Sequence, residues 1–284
     1  MFSDCPLTEL CSSAIKLFSE RLEAVLQIVG DIYAILFGWP AAAKLNKAFF
    51  YLSSRALGFH NYSSPRVSGE TRVIYDRVRR SNTPVVFDVG ANNGNWSALV
   101  LKANGLSQIH AFEPQRALAA HIAATYPAIK VTNLAVGESA GELDLYDYAN
   151  NPGSEHASLI KGVIDTIHGG VPRVKKVSVV TIDEYCREHR VEYIDLLKID
   201  VEGFELAVLR GAKEMIARGH IEAIQFEFNV MNAISRTFLQ DFMNILGSTY
   251  SVYRILPHGL MQLGANNHWM NEQFVYQNLL AIKK

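Results

Sequence analysis

Hydrophobic and polar positions change their spacing along this chain, and the changes mark its elements. From residue 84 onward, short apolar runs alternate with helix-length segments. PVVFDV (84–89) predicts a buried strand, NWSALVLKAN (95–104) a helix, QIHAFEP (108–114) a strand, QRALAAHIAATY (115–126) a helix and KVTNLAV (130–136) another strand. Further on, VSVVTIDEYCREH predicts a strand and then a helix capped by Thr181. IDLLKIDV (194–201) predicts a strand, FELAVLRGAKEMIARG a helix, IEAIQFEF (221–228) a strand and RTFLQDFMNILGS (236–248) a helix. YSVYRIL and QFVYQNLLAIKK close the chain as strands. Continuous apolar runs suit strands buried on both faces, and their alternation with helices implies parallel βαβ units in a doubly wound α/β sheet.

Two regions depart from this rhythm. GELDLYDYAN alternates with period two, which predicts an exposed-face strand or hairpin arm. NPGSEHASLIKGVIDTIHGGVPRVKK has little periodicity and predicts a long connection, a kind of segment that often carries function. Ahead of the sheet, residues 7–37 and 41–57 predict two helices broken at Gly38-Trp39-Pro40, and TRVIYDRVRR predicts a further helix. The turn-rich HNYSSPRVSGE (60–70) predicts a boundary between a helical N-terminal extension, 1–60, and a main domain, 61–284. Residues 14–37 are very apolar, with Lys16, Glu20, Glu23, Gln27 and Asp31 forming one polar stripe. That pattern fits a packed or homodimeric helix, or peripheral contact with a membrane surface. The uncharged run Ile32 to Ala43 is shorter than a membrane span needs.

Charge and cysteine content narrow the function classes. With 27 basic and 28 acidic residues the net charge is −1, so nucleic acid is a poor partner. Cys5, Cys11 and Cys186 are odd in number and form no CxxC pair; they indicate neither a disulfide framework nor a zinc site. MFSDCPLTEL lacks the pattern of a secretory signal, so a cytoplasmic setting is expected.

The candidate chemistry begins at VFDVGANNGNWS (86–97), at the carboxyl end of the first strand of the alternating region, where open α/β sheets bind ligands. Gly90 and Gly94 permit tight turning and close backbone approach. A dinucleotide fingerprint G-x-G-x-x-G started at Gly90 fails at Asn92 and Asn95. Asparagines crowd a pyrophosphate but suit hydroxyls, an ammonium and a carboxylate. Asp88 could accept from an ammonium or fix the loop. The second strand ends in Glu113, an acid placed to take both ribose hydroxyls of an adenosine. A nucleoside with an amino-acid tail and no phosphate satisfies all of these features, and S-adenosylmethionine is that molecule.

VFDVGANNGNWS, IHAFEPQ, NLAVGE, TIDEYC, IDLLKIDVEGFELAVLRGA and IQFEF occur in this order over residues 84–228. In this the chain resembles the FkbM-type S-adenosylmethionine-dependent methyltransferases. The resemblance implies a Rossmann-like seven-stranded methyltransferase sheet and transfer of a methyl group to oxygen, often of a sugar or polyketide hydroxyl. It places Asp88, Gly90, Asn92, Asn93, Gly94 and Asn95 on the methionine side, Glu113 at the ribose, and Asn133, Ala135 and Val136 beside the adenine, with Pro114 also among the cofactor-binding residues.

Methyl transfer to an unactivated hydroxyl needs in-line placement and a group that takes the proton. KIDVEG supplies Asp200 and Glu202, and IQFEFN supplies Glu227 and Asn229, on strand ends that face the crevice. These acids are the candidate catalytic set. The same oxygens could hold Mg²⁺, and Glu202 could instead cap the helix that follows it. His156 in GSEHASL is a candidate base or hydroxyl ligand, His168 a weaker one, and His258 and His268 have no assigned place. GESAG (137–141) matches the hydrolase nucleophile elbow, but the alternating ELDLYDY after it predicts a turn between strands. The expected activity is O-methylation of a sugar or glycan hydroxyl. The alternatives are a polyketide or other natural-product acceptor, or a non-catalytic nucleoside-binding module.

Overall fold

The structure, a computed structural model, describes residues 6–150, 153–154, 156–264 and 268–284, the side chains of 6–20 and 23 excepted. It divides into two compact units, Met1–Ser54 and Arg55–Lys284. The first unit holds the helix Pro6–Phe37 and most of the helix Ala43–Ala56. Between them Pro40 opens a single 3₁₀ turn, since its ring cannot continue the preceding helix. Asn46 ties this corner, accepting from the Tyr33 hydroxyl at 2.7 Å and donating to the Phe37 carbonyl at 2.9 Å. Ile35, Trp39, Phe50 and Leu52 are exposed around it. Among the described residues no single helix is long and apolar enough to cross a membrane. Ala24–Phe37 and Pro40–Ala56, bent by 102°, reach that length and apolarity only as a pair.

The second unit contains eleven described strands. They are β1 Val85–Val89, β2 Gln108–Phe112, β3 Ile129–Thr132, β4 Ala135–Val136, β5 Gly141–Tyr148, β6 Pro172–Val180, β7 Leu196–Ile199, β8 Ala223–Phe228, β9 Tyr250–Leu256, β10 Gly259–Gln262 and β11 Gln277–Lys283. The main sheet runs β10-β9-β11-β8-β7-β1-β2-β3, with β3, β2, β1, β7 and β8 parallel. Strand order reverses beside β1, so the carboxyl ends of β1, β2 and β7 border the crevice where this architecture binds ligands. The apolar runs end up buried as expected: Val86, Phe87, Leu196, Leu197, Ile224 and Phe226 are fully covered. Thr181 caps the helix Ile182–His189 in a reciprocal capping box with Glu184.

The main sheet has eight strands where seven were expected. The extra one, β10, is a four-residue arm paired with β9 at the edge, too short to leave a periodic signature. KVTNLAV is two strands, because the chain turns at Asn133-Leu134 and β4 enters a second sheet, β4-β6-β5. The connection predicted through residue 176 ends earlier. PRVKK opens β6, which pairs antiparallel with β5 from Gly141↔Val179 to Tyr148↔Pro172. Its first five residues are all exposed, so burial imposed no apolar alternation on them. GESAG is the turn from β4 into β5.

Arg55 to Ser64 belong with the sheet. Phe59 bridges to Gln277, and the His60 amide donates to the Tyr276 carbonyl at 2.8 Å. The fully buried Arg254 guanidinium lies 3.9 Å over the Phe59 ring and donates to Gln277 Oε1 at 2.8 Å. The compact unit therefore starts before the 60–70 turn.

Candidate active site

A cavity of about 530 Å³ opens over the carboxyl ends of β1, β2, β7 and β8. Its first wall is the β1 loop. Gly90, at φ +81°, sits where a Cβ would lie 1.8 Å from the Asp200 carbonyl; the loop after β7 crosses it too closely for any side chain. Gly94, also left-handed, begins the helix Asn95–Ala103, and a Cβ there would press on Ile122 and Tyr126 at 3.2 Å. Asn92 takes a left-handed conformation between them. Its amide donates to Glu113 Oε2 at 2.9 Å, and the Gln115 amide donates to Glu113 Oε1 at 2.8 Å. Burial pushes the Glu113 carboxyl up to about 7, against the pull of those two amides.

Beneath the cavity runs a buried polar row. Asp88 and Lys198 are register partners on β1 and β7, and Lys198 and Gln225 on β7 and β8. The Lys198 ammonium lies 3.0 Å from Asp200 Oδ2 and 3.5 Å from Asp88 Oδ1, while the Ser97 hydroxyl donates to Asp88 Oδ2 at 2.7 Å. Gln225 continues the row by donating to Glu70 Oε1 at 2.8 Å. The Lys198 pKa is raised: the charges of Asp200, Asp88 and Glu70 outweigh burial, which is the largest single influence and opposes them. A buried cation with several acids around it is a paired network, since an isolated buried charge is far too costly.

Asp200, Glu202 and Glu227 line the same cavity. Glu227 is pushed well above the usual carboxylate range by burial and by the charges of Asp200 and Glu202. It accepts from Asn229 Nδ2 at 3.3 Å and hydrogen-bonds the Tyr276 hydroxyl. Glu202 Oε1 is 3.5 Å from His156 Nδ1. The His156 ring stacks on His168 with centroids 4.3 Å apart, and burial, helped by His156, lowers the His168 pKa.

Gly90, Asn92, Asn93, Asn95, Glu113, Pro114, Ala135, Val136, Asp200, Glu202, Glu227 and His156 all line this one cavity. Asp88, Gly94 and Asn133 stand behind the lining. Asp88, expected on the methionine side, is fully buried against Lys198 and Ser97 and fixes the loop from below. Gly94 serves helix packing. Asn133 staples the β2 end, donating to the Glu113 and Pro114 carbonyls at 2.9 and 3.0 Å. The acid that ties the loop before the next helix is Glu205, which accepts from the Val201 and Gly203 amides; Glu202 faces the cavity. The oxygens considered for Mg²⁺ do not suit it, because Lys198 already supplies the positive charge at Asp200, and Glu227 is held by Asn229 and Tyr276. Lys198, Tyr62, Trp96 and Tyr276 also line the cavity and were missed. For Lys198 a signal existed: one cation inside the otherwise apolar run LLKI is the kind of buried polar residue that demands an explanation.

The sheet order and the acid-lined crevice at its carboxyl edge are those of a Rossmann-like α/β domain. Residues 88–250 match the Methyltransferase FkbM domain, more than half of the chain, and the chain belongs to that family, whose methyl donor is S-adenosylmethionine. It is 31% identical over 170 residues to methyltransferase sdnD of Sordaria araneosa, covering 49% of this chain and 64% of that protein. It is 26% identical over 146 residues to 2-O-methyltransferase NoeI of Sinorhizobium fredii, covering 48% of this chain and 60% of that protein. The matches thus span less than two thirds of either relative. A TehB-like SAM-dependent methyltransferase from Corynebacterium glutamicum superposes with a TM-score of 0.40 at 13% identity, covering 86% of this chain and 100% of that one.

Proposed function

We propose that this methyltransferase moves the methyl group of S-adenosylmethionine onto a hydroxyl oxygen of a neutral sugar or glycan. The observation that carries the reading is that Asp200, Glu202 and Glu227 line the same cavity as Glu113. The Glu202 carboxylate disfavours a phosphate or carboxylate placed beside it, and the three acids together offer hydrogen-bond partners to hydroxyl groups. The name of NoeI, a 2-O-methyltransferase, supports transfer to oxygen.

The carboxylates divide the work by environment. Asp200, ion-paired with Lys198 at 3.0 Å, takes the proton of the attacking hydroxyl. Glu227, pushed up by burial and by its acidic neighbours, stays protonated and donates a hydrogen bond that orients the acceptor. Bound S-adenosylmethionine would supply the methyl group and leave as a neutral thioether, while Asp200 would take the hydroxyl proton as the O–CH₃ bond forms. Glu113 holds the ribose hydroxyls, and the backbone of Asn92 to Asn95 surrounds the amino-acid end. Residues 14–37 would bring the protein to a membrane surface or a second copy.

Labelled methyl transfer to a panel of neutral saccharides, anionic sugars and polyketide alcohols tests the reading. Transfer is expected to favour the neutral saccharides. Asp200→Asn should lower turnover at least about a hundredfold while S-adenosylhomocysteine affinity changes little. Preference for an anionic acceptor, or normal turnover in Asp200→Asn, contradicts it.

A further inference from the structure

His156 and His168, both in the connection between β5 and β6, and Glu202, in the loop after β7, each offer a ligand atom within 4.8 Å of the others. We propose that they form a binding site for one divalent transition-metal ion, zinc or a close relative, in the wall of the cavity.

The three residues are held in place by the fold around them. Asp147, buried at the end of β5, anchors the segment that carries His156: its carboxylate accepts from the Gly153 amide at 2.6 Å and the Ser154 hydroxyl at 2.8 Å. The Ser158 hydroxyl donates to the Glu202 carbonyl at 2.7 Å, joining the same segment to the loop after β7. Glu202 itself is fixed in a left-handed conformation at φ +55°. His168 closes a π-helical turn, Val163–Ile167, a form that recurs at functional sites.

Two observations point to a ligand. His168 Nε2 is buried and makes no hydrogen bond among the described residues, a costly state for a polar ring nitrogen. The second is the convergence of a ligand atom from each of two imidazoles and a carboxylate within 4.8 Å of one another, the carboxylate oxygen 3.5 Å from His156 Nδ1. Two imidazoles and a carboxylate suit zinc, manganese, iron, cobalt or nickel, and three protein ligands leave positions open. Around a tetrahedral ion with bonds of about 2.1 Å, ligand atoms lie roughly 3.4 Å apart, so the set closes when one of the two stacked rings turns to bring its nitrogen lone pair onto the ion. This is not the magnesium arrangement considered for Asp200 and Glu227. His156 and Glu202 also line the cavity, so the open positions would meet the acceptor. In the hydroxyl-transfer reading, on which only this last role rests, the ion would polarise an acceptor oxygen.

The test uses the full chain, chelator-stripped and free of any affinity tag, titrated with Co²⁺ and followed by visible absorption, then with Zn²⁺ in competition. One saturable equivalent is expected. His168→Ala, His168→Asn and Glu202→Gln should each weaken it more than tenfold, while His258→Ala, in the turn between β9 and β10, should leave it unchanged. S-adenosylhomocysteine calorimetry on every variant shows that each is folded, and reports on the methyl-donor cavity separately. Absence of saturable Co²⁺ binding, or equal affinity in the folded His168 and Glu202 variants, overturns the site.

Discussion

Replacing Lys198 by methionine removes the cation from the row beneath the cavity and keeps most of its stem. Asp88 would then remain fully buried with Ser97 but without its ammonium, and Asp200 would lose its partner at 3.0 Å. Breaking a buried pair from one side costs about 3–5 kcal/mol, because the surviving charge cannot recover its hydration. Asp200 is partly exposed and recovers some of its share, so most of the cost falls on Asp88. For a unit of this size, about 2–4 °C of melting temperature goes with each kcal/mol, which predicts a fall of roughly 6–20 °C. The assay is thermal unfolding by circular dichroism, with Asp88→Asn added in a double-mutant cycle. Neutralising Asp88 in the Lys198→Met background should restore about 2 kcal/mol. The reasoning fails if Lys198→Met melts within about 2 °C of the parent, or if the double variant melts no higher than Lys198→Met.

Glu113 predicts a pH dependence of donor binding. If, as proposed, its charged form accepts the ribose hydroxyls, the pKa raised to about 7 means that affinity is present above that value and is lost as pH falls through it. S-adenosylhomocysteine should bind about tenfold more weakly at pH 6 than at pH 8 by calorimetry, and Glu113→Gln should abolish the difference; an unchanged profile in that variant would refute the assignment. Gly90→Ala would set a Cβ 1.8 Å from the Asp200 carbonyl at a positive φ, and should cost about 3 kcal/mol or more in denaturant unfolding. A variant of parental stability would show that the two loops are not locked together.

What could be read in advance follows burial. β1, β2, β7 and β8 were legible because a parallel strand covered on both faces must be apolar throughout. The first half of β6 was hidden because Arg173, Lys175 and Lys176 face solvent, and β10 because four residues carry no period. Most of the candidate site was legible too, since strand-end acids and the β1 loop have fixed places in this sheet. Asp88 shows the limit. An acid that meets a ligand and an acid that meets a lysine on the next strand look alike until the register pairs Asp88 with Lys198. The nearness of His168 to His156 was equally hidden, because it depends on how an aperiodic segment folds back on itself.

In the proposed reaction the transferred carbon ends on a carbohydrate oxygen. Incubating the protein with S-adenosylmethionine carrying a ¹³C-labelled methyl group and the preferred saccharide, then recording a carbon–proton correlation spectrum of the product, reads the outcome directly. The account predicts a new methyl ether whose long-range coupling leads to a single ring carbon. A label found on nitrogen, sulfur or carbon, or on a non-carbohydrate alcohol while the saccharides stay unlabelled, would contradict it.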